Sequence, residues 1–255
     1  MARVLITGST TGLGEAAARR LLDEGHAVVL HARNDERARA VADLAERAAG
    51  LVVGDLTDAS QVRAVADQAT AIGGLDAVIH NAALYVESQR GATPEGHART
   101  VAVNVLAPYL LTAWIDRPAR LVYLSSAMHR SGDRSLDDLD WTTRRWNGTQ
   151  AYCDSKLHVT ALASALARRW PDALVNAVDP GWVPTRMGGP GAPDDLELGH
   201  RTQAWLATSD DTEANTSGGY WHHQQRQAPA PAAVDHTFQD ALLAELERLT
   251  GVRLD

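Results

Sequence analysis

The chain has 255 residues, 45% of them hydrophobic, and a formal net charge of -8. This acidic balance argues against a nucleic-acid partner, whose usual footprint is a strongly basic face. The one cysteine, Cys153, excludes an internal disulfide framework. No signal peptide is visible, and the longest apolar stretch is broken by Asn104 and Pro108 and is too short to cross a bilayer. We therefore expect a cytoplasmic protein without a membrane partner.

Short β-branched runs alternate along the chain with longer amphipathic segments. The first half contains, in order, the strand RVLITG, the helix LGEAAARRLLDEG, the strand HAVVLHAR, the helix NDERARAVADLAERAAG between an Asn34 cap and Gly50, the strand LVVGDL, the helix DASQVRAVADQATAI and the strand LDAVIHNAA. The second half contains the long helix PEGHARTVAVNVLAPYLLTAWI, the strand ARLVYLSS, the helix AYCDSKLHVTALASALARRW, the strand ALVNAVDPG, the helix GHRTQAWLA, the strand GGYWH and the helix FQDALLAELERLTG. This alternation predicts an α/β fold with a doubly wound parallel sheet of about seven strands and helices on both faces.

Two segments interrupt the alternation. One is the polar stretch 128–150, and the other is a Gly/Pro-rich loop at 184–196 on the expected substrate side. Loops this long are uncommon in a compact domain unless they are functional, and we expect both to lie beside the mouth of a site. Trp141, Trp146 and Trp182 lie in or next to them, where they either line that mouth or cap the edge of the core. No linker is long enough to divide residues 1–255 into two domains.

The turn after the first strand reads TGSTTGLG. Glycines in such a turn let the backbone approach a pyrophosphate at the N-terminus of the following helix. A strand precedes this turn and a helix follows it, which is the context that the motif requires. The sequence therefore predicts a dinucleotide site made by the residues of this turn, namely Gly8, Ser9, Thr10, Thr11, Gly12, Leu13 and Gly14.

Tyr152 and Lys156 are four residues apart, on one face of a predicted helix. A nearby cation favours the phenolate, so we expect Lys156 to lower the pKa of Tyr152. Further motifs follow the successive strands in order: Asp55-Leu56, Asn81-Ala82, Asn104 in the long helix, Ser125-Ser126, and Pro180 to Thr185. Together these motifs resemble the short-chain dehydrogenase/reductase family over essentially the whole chain. The segment SSAMH and the loop PGWVPTRMGGPGAP are similar to retinol-dehydrogenase-like and carbonyl-reductase-like members.

The resemblance implies a single-domain Rossmann fold and hydride transfer between a nicotinamide cofactor and a small carbonyl or alcohol substrate. It implies that Tyr152 is the general acid/base and that Lys156 also binds the nicotinamide ribose. Ser126, the second serine of its pair, would hold the substrate oxygen. Asn104 would hold a water near Lys156, unless it only satisfies a backbone group. The implied cofactor contacts after the glycine turn are Asp55, Leu56, Asn81, Ala82, Ala83, Tyr152, Lys156, Pro180, Gly181, Val183 and Thr185.

The second strand ends in Ala32-Arg33-Asn34, without the carboxylate that binds the adenosine ribose in NAD-preferring enzymes. Arg33 can bind a 2′-phosphate through two parallel hydrogen bonds. Ser9, Thr10 and Asn34 could add contacts. We expect Asp35 and Glu36 to lie on the next helix and to point away. The sequence therefore predicts NADP(H) as the preferred cofactor, with NAD(H) possible.

Several alternatives remain open at this level. One is a non-enzymatic dinucleotide-sensing relative, and another is a sugar-nucleotide epimerase or dehydratase on the same fold. His129 is either a substrate contact or a polar loop residue. His222 and His223 have no clear third ligand, so we predict no metal site. The protein could be a monomer, a homodimer or a homotetramer.

Overall fold

The fold of the protein is given by a computed structural model, which describes residues 1–254. Eight strands form one sheet in the order β3-β2-β1-β4-β5-β6-β7-β8. They are β1 (Arg3–Ile6), β2 (Ala27–Ala32), β3 (Gly50–Val53), β4 (Ala77–His80), β5 (Arg120–Leu124), β6 (Leu174–Asp179), β7 (Tyr220–His222) and β8 (Gln225–Gln227). All neighbouring pairs are parallel except the last, β7 with β8. The strand order reverses between β1 and β4, and such a switch point is where open α/β sheets bind ligands.

The helices cover both faces of this sheet. They are α1 (Gly12–Asp23), α2 (Asp35–Arg39), α3 (Ala42–Ala45), α4 (Ala59–Ile72), α5 (Arg99–Val101), α6 (Ala107–Trp114), α7 (Gly148–Arg169), α8 (Leu196–Thr208) and α9 (His236–Thr250). Successive side chains of β1 alternate between two cores, as the pleat of a strand requires. Leu5 packs with residues of α4, α6, α7 and α9, whereas Val4 and Ile6 pack with residues of α1 and α8. The prediction of a doubly wound sheet is therefore confirmed, with one antiparallel edge strand added.

The predicted helix between Asn34 and Gly50 is two short helices. Asn34 caps α2 as expected, because its side chain accepts a hydrogen bond from the backbone N–H of Arg37 at 3.0 Å. The chain then breaks its helical path, and Val41 and Leu44 are buried in the core beside α1. Gly50 does not end a helix, as the sequence suggested, but begins β3.

The long helix that was predicted from PEGH onward begins only at Arg99, and its middle is wider than an α-helix. A π-helical turn spans Ala102–Leu106 between α5 and α6 and contains Asn104. Single π-turns within α-helices occur frequently at functional sites. None of the helices within residues 1–254 has the combination of length and apolar character needed to cross a lipid bilayer.

The 128–150 segment packs as an ordered layer against α7. It begins within a 3-10 turn at Ala127–Ser131. Trp141 is 4% exposed and meets Trp146 edge-to-face, with 5.4 Å between the ring centroids. Arg144 lies over the Trp141 ring and forms an ion pair with the buried Asp154 of α7 at 2.9 Å. Trp141 and Trp146 therefore cap the edge of the core, the second of the two roles considered for them.

Candidate active site

A cleft of about 470 Å³ opens at the carboxyl ends of the central strands. Most of the residues predicted to contact a cofactor line it, as do the predicted catalytic Tyr152 and Lys156. The lining residues are Gly8, Thr10, Thr11, Gly12, Leu13, His31, Arg33, Arg37, Asp55, Leu56, Thr57, Asn81, Ala82, Ala83, Leu84, Tyr85, Arg99, Val103, Leu124, Ser125, Tyr152, Lys156, Pro180, Thr185, Arg186 and Met187. The segment 128–150 contributes no residue to this lining, contrary to the expectation that it lies beside the mouth.

The glycine turn is packed tightly against the end of β4. Gly8 has a φ of 66°, and a Cβ added there would meet the Cα of Ala82 at 3.0 Å. A Cβ at Gly14 would lie 2.4 Å from the Asn81 side-chain nitrogen, which itself donates to the carbonyl of Thr7 at 2.9 Å. The Thr7 hydroxyl accepts hydrogen bonds from the backbone of both Asn81 and Ala82. Asn81 and Gly14 therefore hold the strand ends together beneath the turn.

The N-terminus of α1 opens toward the cleft without a side-chain cap. Thr11 occupies the cap position, but its side chain accepts no hydrogen bond from the helix. A Cβ at Gly12 would come no closer than 3.5 Å to any atom, the nearest being in Thr185. Free backbone N–H groups at such a terminus favour an anion. The turn thus fits a pyrophosphate group.

Two arginines lie at the adenosine end expected for such a ligand. Arg33 is exposed, Arg37 is half-buried, and both line the cleft. Asp35 and Glu36 lie in the first turn of α2, exposed and outside the cleft lining, as predicted. The sequence did not point to Arg37, because the direction of its side chain depends on where α2 begins. Asp55 is the one carboxylate among the residues that line this cleft. Two arginines at this end therefore fit a phosphorylated adenosine ribose better than a bare one.

Some predicted cofactor residues lie behind the cleft surface. Ser9 is completely buried, and its hydroxyl accepts a hydrogen bond from the backbone N–H of His31 at 2.8 Å. The prediction that this hydroxyl contacts a phosphate is therefore wrong, because the side chain points into the sheet. Other residues outside the lining are Gly14, Asn34, Gly181 and Val183.

Tyr152 lies near the start of α7, which Asn147 caps by accepting from the backbone of Gln150 at 3.1 Å. The Tyr152 ring is 6% exposed and packs edge-to-face on Tyr85, with 4.8 Å between centroids. The Ser126 side chain lies beside its hydroxyl and acts to lower the Tyr152 pKa. The neighbouring Ser125 is instead bonded to Thr160, with 2.6 Å between the hydroxyl oxygens. Ser126, the serine chosen from the sequence, is thus the one that meets Tyr152, although Ser125 contributes to the cleft wall.

Lys156 is buried one helical turn beyond Tyr152. Its Nζ donates to the carbonyl of Leu124, at the end of β5, at 2.7 Å and lies 5.6 Å from the Tyr152 ring centroid. Burial lowers the pKa of Lys156 to about 8, and the charge of Asp179 opposes this shift. Burial also raises the pKa of Tyr152 above its ordinary value, and the Ser126 side chain opposes that shift. The expected lowering of the Tyr152 pKa is therefore wrong, because desolvation of the buried phenol dominates and the charges of Tyr85 and Asp179 add to the rise.

Asn104 is buried in the π-helical turn, and its amide is bound on both sides. Its oxygen accepts from the backbone N–H of Leu84 at 2.7 Å, and its nitrogen donates to the Leu84 carbonyl at 2.9 Å and to the Ser155 hydroxyl at 3.0 Å. These bonds fasten the chain after β4 to α7. They match the alternative of a satisfied backbone group, and a water held by Asn104 stays a prediction.

His129, left open by the sequence, lies outside the cleft lining. Its Nδ1 lies 2.7 Å from the carbonyl of Ser126, and its Nε2 accepts from the backbone N–H of Ala230 at 2.8 Å. Both ring nitrogens are thus used to join the chain after β5 to the segment before α9. His129 is a structural residue in this arrangement and does not face the substrate side.

Comparisons with known proteins agree with this geometry. The model of the family described as Enoyl-(Acyl carrier protein) reductase matches residues 8–215. The chain is 42% identical over 257 residues to the short-chain dehydrogenase chry4 of Gibberella zeae, covering 100% of this chain and 99% of that protein. It is 30% identical to human retinol dehydrogenase 13, covering 98% of this chain and 84% of that protein.

Solved structures show the same fold. A protein of Mycobacterium paratuberculosis superposes with a TM-score of 0.85 at 28% identity, covering 100% of this chain and 95% of that one. A short-chain dehydrogenase of Burkholderia cenocepacia in complex with NADP superposes with a TM-score of 0.67 at 23% identity, covering 87% and 95%. With its glycine turn, its Tyr152 and Lys156 pair and these relatives, the chain belongs to the short-chain dehydrogenase/reductase family of oxidoreductases.

Proposed function

We propose that the protein is an NADP(H)-dependent oxidoreductase that interconverts a carbonyl compound and its alcohol. The observation that carries this proposal is the placement of Tyr152 and Lys156 together on the wall of one cleft, with Lys156 Nζ 5.6 Å from the centroid of the Tyr152 ring. A buried hydroxyl that can exchange a proton with a bound oxygen is what carbonyl reduction requires. The nicotinamide, when bound, supplies the hydride in reduction and accepts it in oxidation.

The protein's own residues supply the proton and the electrostatic environment. Since burial raises the pKa of Tyr152, its phenol is protonated at neutral pH and can donate to the carbonyl oxygen of a substrate. The phenolate left behind would be stabilised by the neighbouring Ser126 side chain, which favours the ionised form, and by the charge of Lys156. Leu124 keeps the ammonium group of Lys156 in place through its carbonyl. In the oxidative direction Tyr152 takes the proton from the alcohol.

The same cleft has the groups that would hold NADP(H). The glycine turn and the N-terminus of α1 would bind the pyrophosphate, and Lys156 would bind the nicotinamide ribose. Arg33 and Arg37 would bind the 2′-phosphate. The NADP complex of the Burkholderia cenocepacia enzyme, which has the same fold, supports this assignment. At the open end, Met187 and Tyr85 offer apolar surface to a substrate.

The test is a panel of aldehydes and ketones, with NADPH oxidation as the readout, on the wild type and on Tyr152→Phe. The variant keeps the ring but loses the hydroxyl, so we expect kcat to fall by roughly 10²–10⁴-fold while the Kd for NADPH changes little. Tyr109→Phe is the matched control, because the Tyr109 hydroxyl bonds to the carbonyl of Val252, away from the cleft. Near-normal turnover by Tyr152→Phe would overturn the mechanism. NADPH binding by the wild type without turnover of any carbonyl compound would instead favour a non-enzymatic dinucleotide sensor.

A further inference from the structure

His31 is a buried histidine of β2 that also forms part of the cleft lining. Only 2% of its surface is exposed. The residue lies between the glycine turn on one side and the end of β3 on the other, because β2 pairs with both β1 and β3. No role in the proposed chemistry uses it, although it is the one histidine among the residues that line this cleft.

Both ring nitrogens of His31 have partners of fixed character. Nδ1 accepts a hydrogen bond from the backbone N–H of Gly8 at 2.9 Å. Nε2 lies 2.9 Å from the carbonyl oxygen of Gly54, which can only accept. The two bonds can form together only if Nδ1 carries no proton and Nε2 carries one. His31 is therefore neutral in this arrangement, with its tautomer determined by two backbone groups.

The backbone of His31 is joined to the same turn. Its N–H donates to the Ser9 hydroxyl at 2.8 Å, and its carbonyl accepts from the Ser9 N–H at 3.3 Å. Gly8 and Ser9 are thus held by three hydrogen bonds to one residue. Gly8 has a positive φ of 66°, which glycine adopts readily. The three bonds to His31 therefore fix the position of the turn relative to β2.

We propose that His31 is a positioning residue for the cofactor: it holds the glycine turn in its binding geometry, and its protonation releases Gly8 and weakens dinucleotide binding in acid. This inference rests on the proposed function, since it assumes that the cleft binds a dinucleotide. A proton on Nδ1 would place an N–H donor against the N–H of Gly8, so the bond must break and the turn must shift. The hydrogen bond to Gly54 does not depend on that proton.

The charged surroundings determine the pH range of this effect. Burial lowers the pKa of His31 below its ordinary value near 6.5, while the Asp55 carboxylate after β3 and the Gly54 hydrogen bond oppose the shift. Arg33 and Arg37, at the end of β2 and on α2, line the same cleft. Because the binding-competent form is the neutral one, the contribution of His31 to the affinity is constant above the His31 pKa. Below it, the Kd rises by up to tenfold for each pH unit, in a range that lies below pH 6.5.

The experiment measures the Kd of NADPH by fluorescence titration between pH 5 and 8, at constant ionic strength, on the full chain. His31→Asn is the informative variant, because its side-chain oxygen can accept from Gly8 but cannot titrate. The 2′-phosphate of NADPH itself titrates near pH 6, and this contribution is the same in both proteins. We expect the ratio of the wild-type Kd to the His31→Asn Kd to be constant above pH 6.5 and to rise below it.

A second variant tests the positioning role of His31 at a single pH. His31→Leu removes the acceptor for Gly8, so we expect NADPH to bind roughly five- to tenfold more weakly at pH 7.5. The KM for NADPH should rise while kcat stays within about twofold, since Tyr152 and Lys156 are untouched. A purely structural role would lower stability without this split between KM and kcat. Restoration of the KM by His31→Asn would support the hydrogen bond to Gly8 as the cause.

The wild-type protein alone provides a further test. NMR of the imidazole nitrogens at neutral pH should show His31 protonated at Nε2 and not at Nδ1, and the opposite tautomer would overturn the inference. Parallel pH profiles of wild type and His31→Asn would also overturn it, leaving the proposed function intact. If the wild type binds neither NADPH nor NADH at pH 7.5, the proposed function itself fails.

Discussion

Arg33 and Arg37 place two guanidinium groups on the wall of one cleft. The acidic residues between them, Asp35 and Glu36, lie outside that wall because Asn34 begins α2 immediately after Arg33. The helix start that Asn34 sets thus separates the two arginines, which lie on the cleft wall, from the two acidic residues, which lie outside it. Under the proposed function, this separation selects the phosphorylated dinucleotide.

Arg33→Asp should largely erase a preference for NADPH over NADH. A hydrogen bond to a charged group is worth about 1.5–3 kcal/mol, so the loss corresponds to roughly 10- to 150-fold in the Kd of NADPH. Part of the preference should remain, because Arg37 still lines the cleft. Titration of both cofactors against the wild type and the variant measures this change.

Arg39→Asp is the matched control for that substitution. Arg39 ends the same short helix and is exposed, but it does not line the cleft. We expect its replacement to leave the ratio of the two Kd values within about twofold. An equal effect of both variants would mean that only the overall charge matters. Equal or tighter binding of NADH by the wild type would show that the end of β2 has been misinterpreted.

At the scale of elements, the loop after β6 separates two residues that the sequence could not distinguish. Trp182 and Met187 are both exposed, at 59% and 44%, but only Met187 lines the cleft. The Trp182 ring is held by its Nε1, which donates to the carbonyl of Gly188 at 2.8 Å, and its backbone N–H donates to Asp194 at 2.6 Å. Trp182 therefore fastens the loop, whereas Met187 is placed to meet a substrate.

Met187→Ala should change substrate preference more than cofactor affinity. Removing apolar surface from one side of a pocket should lower kcat/KM for a large apolar carbonyl compound by about tenfold relative to a small one. The Kd of NADPH should change by less than about twofold. Trp182→Phe, which loses the bond to Gly188, should affect all substrates alike. The measurement is kcat/KM for a series of carbonyl compounds of increasing size. A changed order of preference among them in Trp182→Phe, but not in Met187→Ala, would contradict this assignment.

The elements that the sequence predicted well are those with a long periodic pattern. The helices α1, α4, α7 and α9 follow such patterns and were found, and the strands β1 to β7 were found from short apolar runs between them. Gly50 was wrongly predicted to end a helix, because a glycine after a helical pattern usually does so. Here it begins β3, and a Cβ would meet Ile72 at 2.6 Å, so close packing explains the glycine. β8 was missed because it is polar and exposed and its turn, at His223 and Gln224, has positive φ without glycine.

The candidate site, like the fold, could be predicted only in part from the sequence. The residues of motifs that follow a strand could be placed, because the strand order brings those ends to one edge of the sheet. Asp55 and Asn81 were located in this way, whereas Tyr152 and Lys156 were located from their spacing on one helix face and from the family resemblance. Side-chain direction in a turn has no such pattern. For this reason the roles of Ser9, His31 and Arg37 became visible only in the structure.

For the whole molecule, a sheet covered on both faces leaves many polar side chains without water. Four buried histidines, His31, His80, His129 and His158, have pKa values lowered by desolvation, to about 3 for His80 and about 4 for His158. Both ring nitrogens of His158 lack a hydrogen-bond partner within residues 1–254. Such a ring can stay neutral in the folded protein, but it is protonated in the unfolded chain once the pH falls below about 6.5.

This difference predicts that the free energy of unfolding decreases as the pH falls from about 6.5 toward 4. In that range the unfolded chain binds more protons than the folded one, so stability rises with pH and is lost on acidification. Each buried histidine contributes at most about 1.4 kcal/mol per pH unit. His158→Leu removes one such group and two buried unsatisfied nitrogens. We therefore expect a shallower loss of stability in acid and a change of no more than about 1 kcal/mol at pH 7.

Urea unfolding at pH 7, 6 and 5 measures the slope for the wild type and for His158→Leu. His236→Leu is the control, because His236 is exposed at the start of α9 and its replacement should leave the slope unchanged. Equal slopes for wild type and His158→Leu would mean that His158 is already protonated in the folded protein. That result would require a hydrogen-bond acceptor, such as a buried water, beside the His158 ring. The ring otherwise lies on the buried part of α7 and packs near Phe238.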